Sequence, residues 1–113
     1  MAYIKDRRQF ARAEVKWPVT ILSPEQHTLG EIRNISQLGA SVYCREIPSA
    51  GPELSLEIQP PNRKSILVFA KTIWAIDADS SEGPHCFVLG VQFKYISEDD
   101  IQFLDEIVAK QSH

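Results

Sequence analysis

The chain has 113 residues, 43% of them hydrophobic and 24% charged, with a formal net charge of −3. This is the size and make-up of one soluble globular domain, and the acidic balance argues against a general DNA or RNA binder. No window reaches the roughly 18 continuous apolar residues of a membrane span.

The start, MAYIKDRRQF, has no apolar run of the signal-peptide kind, so a cytoplasmic location is expected. Residues 1–12 are polar and lack a clear period, and residues 1–14 precede the first strand. They are expected to form a flexible N-terminal segment. Val15, Trp17, Val19 and Ile21 then alternate with polar or turn residues, which predicts a first strand near 15–22. Ser23-Pro24-Glu25-Gln26 breaks it. Leu29 to Ile35 reads as a second strand and Ala40 to Cys44 as a third, with the short turn Ser36-Gln37-Leu38-Gly39 between them. After Gly51-Pro52, Leu54, Leu56 and Ile58 alternate with Ser55, Glu57 and Gln59, the pattern of a half-buried strand. Pro60-Pro61-Asn62 ends it.

Residues 64–76 form a long β-rich run. Its parity groups Val68, Ala70, Thr72 and Trp74 on one side and Leu67, Phe69 and Ile73 on the other. A polar loop from Asp77 to Pro84 follows. Phe87, Leu89, Val91, Phe93 and Tyr95 alternate through a last strand, where Gly90 suggests a bulge or bend. Ser97 followed by Asp100 resembles a capping box, and Ile101, Leu104, Ile107 and Val108 recur at helical spacing, predicting a helix over 97–110. The fold class is therefore mainly all-β. One domain spans 1–113: a small antiparallel barrel or sandwich over 15–96, with the helix covering one open end.

Charge is uneven. Residues 1–16 carry Lys5, Arg7, Arg8, Arg12 and Lys16 against Asp6 and Glu14, whereas residues 97–106 carry five acids and no base. Within the acidic cluster Glu98 and Asp99 suit a helix N-terminus, where each contributes about 0.3–1 kcal/mol at an exposed site. The basic cluster reads either as a solvated surface or as an anion site.

Catalytic signatures are missing. There is no Gly-rich phosphate loop, no G-x-S-x-G elbow and no Cys/His pairing, so no enzyme and no catalytic residue is expected. Asp77 and Asp79 read as turn formers. Cys44 and Cys86 lie far apart without a CxxC, and read as thiols of a reducing compartment rather than a disulfide. His27, His85 and His113 are scattered, so no metal site or cofactor is expected.

Two short stretches stand out. Arg7-Arg8-Gln9-Phe10-Ala11-Arg12 contains R-x-x-x-R as Arg8 and Arg12, just before the first strand. Arginine pairs bidentately with phosphate or with guanine O6 and N7, and it also stacks on bases. Asn34-Ile35-Ser36-Gln37-Leu38-Gly39 reads N-x-S-x-x-G at the end of the second strand. In an extended chain Asn34 and Ser36 share a side and Ile35 points inward. Gly39 permits a positive φ or a close backbone approach. The same stretch is also a common turn signature.

In this order the two stretches resemble the PilZ domain family. The likeness covers nearly the whole chain. Gly39-Ala40 looks like the family's segment after the serine motif, Ile73-Trp74 like its usual Val-Trp, and Leu89-Gly90-Val91-Gln92-Phe93 like its last strand. The resemblance implies a six-stranded antiparallel β-barrel with a C-terminal α-helix, and a bacterial second-messenger ligand, cyclic di-GMP, bound on the outer surface. It implies that Arg8 and Arg12 grip guanine and phosphate with Arg7 as helper, and that Asn34, Ser36 and Gly39 form a floor beneath them. Trp74 reads either as a strand aromatic or as a ligand contact. Asn for Asp at position 34 is within the family's pattern and removes a charge.

The reading that follows is a receptor that changes conformation on binding cyclic di-GMP and then meets a protein effector. One alternative is an interaction adaptor of the same fold that binds no nucleotide. Another is a single-stranded nucleic-acid binder, which would need a basic groove with interleaved aromatics; net charge and the lack of such a stripe count against it.

Overall fold

The computed structural model describes residues 12–24, 26–48, 51–78 and 85–111. Arg7, Arg8 and Asp79, with the predicted flexible segment up to residue 11, lie outside the described residues. Among those described are six strands and one helix: β1 (Ala13–Ser23), β2 (Gln26–Ile35), β3 (Gly39–Cys44), β4 (Glu53–Ile58), β5 (Ile66–Asp77), β6 (Phe87–Tyr95) and α1 (Glu98–Gln111). The strands close into an antiparallel barrel in the order β1-β2-β3-β6-β5-β4. Among the described residues every strand therefore has a neighbour on both sides, although β1 meets β4 only from Val19 to Leu22.

Alternation does most of the folding. Val19 and Ile21 on β1, and Leu54, Leu56 and Ile58 on β4, point inward and are almost wholly buried. Ile32, Ile35, Val42, Ile66, Val68 and Leu89 join them in one core. Burying each such side chain contributes about 1.5–3 kcal/mol before the entropy of ordering the chain is counted. β2 begins at Gln26, three residues before the predicted start, because the break after β1 is a tight hairpin. Ser23 Oγ donates to the Gln26 carbonyl at 2.9 Å across it.

The helix begins as its sequence implies. Ser97 Oγ accepts the Asp100 amide at 3.3 Å, as an N-cap should. The Asp100 carboxylate takes another partner than the capping box suggests, pairing with Arg63 of the β4–β5 loop at 2.9 Å. The Arg63 guanidinium also lies 4.2 Å from the centre of the Phe103 ring. Leu104 enters the core, and Phe103 stacks on Trp17 of β1 with ring centres 6.0 Å apart. At the other end of α1, the Gln111 amide grips the backbone of Glu14. Its Oε1 accepts the Glu14 amide at 2.7 Å, and its Nε2 donates to the Glu14 carbonyl at 2.9 Å.

The regular alternation fails at defined places, and these shape the site. On β2, Ile32 pairs with Val42 and Asn34 with Ser41, so Arg33 is an extra residue opposite β3. On β5, Thr72 pairs with Val91 and Trp74 with Gly90, so Ile73 is extra opposite β6. The parity reading, which grouped Trp74 with the inward Val68 and Ala70, is thus overturned beyond Thr72. The bulge turns Trp74 to the outer surface, where it is 44% exposed. Gly90 lies opposite that bulge and is not its extra residue.

Candidate functional site

Pairing register assembles a row across four strands. Asn34 of β2 stands beside Ser41 of β3, Ser41 beside Gly90 of β6, and Gly90 beside Trp74 of β5. Directly paired residues of an antiparallel sheet share a face. Their neighbours Ile35, Ala40, Val42, Leu89 and Val91 fill the core, so the row faces outward.

Arg12 closes one end. It precedes β1, and its Nη1 donates to Asn34 Oδ1 at 2.8 Å and reaches Ser41 Oγ at 3.4 Å. The guanidinium is partly desolvated, which lowers its pKa from the ordinary value without discharging it. With Oδ1 turned to Arg12, the Asn34 amide NH2 has no hydrogen-bond partner among the described residues. The asparagine at this position accepts from arginine as an aspartate would, without the charge.

Trp74 closes the other end, and Gly90 sets its position. A Cβ at residue 90 would lie 2.1 Å from Trp74 Cε2. Only a glycine lets the indole lie against the sheet there. The indole lies over Gly90 and stays partly open to solvent.

The other motif residues have different tasks. Ser36 is 4% exposed and belongs to the turn. Its amide donates to the Gly39 carbonyl at 2.9 Å, and its Oγ accepts the Leu38 amide at 3.1 Å. β2 ends at Ile35, so Ser36 is no longer on an extended chain with Asn34; Ile35 does point inward. Gly39 needs no positive φ. A Cβ there would stand 2.2 Å from the Val91 carbonyl oxygen, so this glycine serves the close approach of β3 to β6.

The structure therefore brings Arg12, Asn34 and Trp74 onto one surface, with Ser36 in the turn after β2 and Gly39 at the start of β3, two residues from Ser41 on the same outer face. Ser41 and Gly90 complete the row and were not among the expected site residues. Ser41 was within reach of the sequence, because a tight turn that pairs Ile35 with Ala40 necessarily pairs Asn34 with Ser41. Beyond Asn34 an open groove of about 820 Å³ is lined by Arg12, Glu14, Val15, Lys16, Arg33 and Asn34.

Other chemistry is sparse. No cluster of three or more His, Cys, Asp or Glu residues with metal-binding geometry occurs among the described residues. His85 Nε2 lies 3.1 Å from Asp77 Oδ1 in an exposed pair. Cys44 and Cys86 are free thiols; Cys44 is buried and Cys86 half-buried. No described helix is long and apolar enough to cross a membrane.

The family model of the PilZ domain matches residues 6–110. The chain belongs to the PilZ domain family. Among solved structures, this PilZ domain is similar to the inhibitor of motility MotI/DgrA of Bacillus subtilis, with 22% identity and a TM-score of 0.74 over 93% of this chain and 51% of that one. It is similar to the PilZ domain of YcgR from Escherichia coli, solved with c-di-GMP, with 14% identity and a TM-score of 0.72 over 92% of this chain and 90% of that one. It is also similar to PlzA of Borreliella burgdorferi in complex with c-di-GMP, with 14% identity and a TM-score of 0.61 over 85% of this chain and 46% of that one. At these identities the likeness shows the fold. The PilZ domain spans about half of MotI/DgrA and of PlzA. Comparison with curated proteins finds no match.

Proposed function

We propose that this PilZ domain is a receptor for cyclic di-GMP, which it binds on the outer row from Arg12 to Trp74. The observation that carries this reading is the row itself. A cation hydrogen-bonded to an amide stands at one end and an aromatic face held flat by a glycine at the other. Cyclic di-GMP offers the matching chemistry: two anionic phosphodiesters, and two guanines that stack and accept hydrogen bonds at O6 and N7. Arg7 and Arg8, which precede Arg12 in the chain, supply further guanidinium groups to the same ligand. Ser36 acts by holding the turn that follows Asn34, and Gly39 leaves the outer face beside Ser41 without a side chain. The YcgR PilZ domain and PlzA, both similar in fold, were solved with c-di-GMP.

The binding step supplies a signal. Arg12 lies two residues before Glu14, whose backbone is held by Gln111 at the end of α1. Pulling Arg12 toward a ligand loads that contact and offers a protein effector a changed surface near the end of α1. Binding serves recognition and no bond is made or broken.

Isothermal titration calorimetry with cyclic di-GMP tests the reading. Saturable binding is expected, and no heat at tens of micromolar ligand would remove it. The adaptor alternative would then stand, with Leu67, Phe69, Ile73, Ile76 and Tyr95 as exposed apolar contact points. Capture of an effector that is unchanged by cyclic di-GMP and by Asn34→Ala would support that alternative.

A further inference from the structure

Arg33 belongs to neither motif, yet the β2 bulge gives it a particular aim. Ile32 and Ile35 are both fully buried in the core. A regular strand would place residues three apart on opposite faces. The extra residue resolves the conflict by leaving Arg33 and Asn34 together outside, between two inward isoleucines. Bulges next to binding sites commonly re-aim a side chain in this way. Arg33 then lines the same groove as Arg12 and Asn34.

Its present contacts are those of a cation held in reserve. The Nε atom pairs with Glu31 Oε1, and the guanidinium carbon lies 4.5 Å from the centre of the Tyr43 ring. Both Arg33 and Glu31 are substantially exposed, so their ion pair is weak and exchangeable. The charged groups lining the groove are Arg12, Lys16 and Arg33 against Glu14 alone. The groove therefore favours an anion once Arg33 turns from Glu31.

We propose that Arg33 is a further ligand-binding residue, which leaves Glu31 to pair with a phosphate of the dinucleotide lying in the groove beside Asn34. This rests on the receptor reading above and extends it to a residue outside the family motifs. Tyr43 supports the guanidinium from below, and Glu31 competes with the ligand for it.

Calorimetry on four variants tests the assignment, using cyclic di-GMP as titrant and circular dichroism to check folding. Arg33→Gln is expected to weaken binding about ten-fold at low salt, with the difference shrinking as salt rises. Lys64→Gln, which removes the same charge from the β4–β5 loop, is the control. Glu31→Gln should tighten binding a few-fold in the parent protein and have little effect when combined with Arg33→Gln, the non-additivity expected of a shared partner. Equal losses in Arg33→Gln and Lys64→Gln, or full additivity of Glu31→Gln and Arg33→Gln, would overturn the assignment while leaving the receptor reading intact. Absence of binding by the parent protein would overturn both.

Discussion

β4 and β2 contribute to the same core and handle their sequences differently. In β4 every second residue is buried, from Leu54 through Leu56 to Ile58, and the pairing with β5 runs without interruption. In β2 the alternation holds to Ile32, then slips by one residue at Arg33 before Ile35 returns to the core. β5 slips in the same way at Ile73. The regular wall has one task, filling the interior. The bulged walls must fill the interior and also aim Asn34, Arg33 and Trp74 outward. A bulge lets one strand meet both demands, because it changes the outer face without moving the inner one.

If this division holds, damage to each wall should be separable. The largest expected effect is on the regular side. Leu56→Ala empties a fully buried position and should cost about 2–5 kcal/mol of stability in urea or thermal denaturation. Affinity for cyclic di-GMP, measured on the protein that remains folded, should barely change. Loss of affinity without loss of stability would break the comparison.

Arg12→Ala is the converse. It removes the contact to Asn34 Oδ1 and should weaken cyclic di-GMP binding by about 1.5–3 kcal/mol, with little change in the melting temperature. Wild-type affinity in calorimetry would remove Arg12 from the site.

Gly90→Val strikes the bulged side from its neighbour β6, since the new side chain must displace the Trp74 ring. Overpacking of this kind costs about 1–3 kcal/mol. Tryptophan fluorescence should shift to the red and ligand affinity should fall. An unchanged emission spectrum would show that Trp74 does not depend on Gly90.

The smallest effect concerns the interior thiol. Burial, the larger cause, raises the Cys44 pKa, so the folded state holds its proton to higher pH than the unfolded chain does. The sign follows by linkage. The contribution to stability is intact below the unfolded thiol's pKa and declines as pH rises through it and beyond. Native-state alkylation followed by mass spectrometry should modify Cys86 well before Cys44. Equal rates would argue against a buried Cys44.

Much of this was legible in the chain. Leu54, Leu56 and Ile58 declare their face by simple alternation, and Ser97 with the acids after it declares the start of α1. R-x-x-x-R and N-x-S-x-x-G, in their order around the first two strands, pointed to the family that the match over residues 6–110 shows. Asn34 and Trp74 were legible as candidate site residues by that resemblance, but the face of Trp74 was not. Arg33 carried no local signal at all, since one arginine in a β-rich run looks like any solvated side chain.

The barrel's strands, its C-terminal helix and the two motifs can be read from the chain alone, because periodicity, capping and turn chemistry act over a few residues. The full outer row emerges only on folding. Ser41 follows from the tight β2–β3 turn, but how the row continues to Gly90 and Trp74 depends on register between β3 and β6, which are distant in the chain, and on where β5 gains one residue over β6. That choice is made by packing Ile32 and Ile35 into one core and Trp74 over Gly90, and no local pattern encodes it.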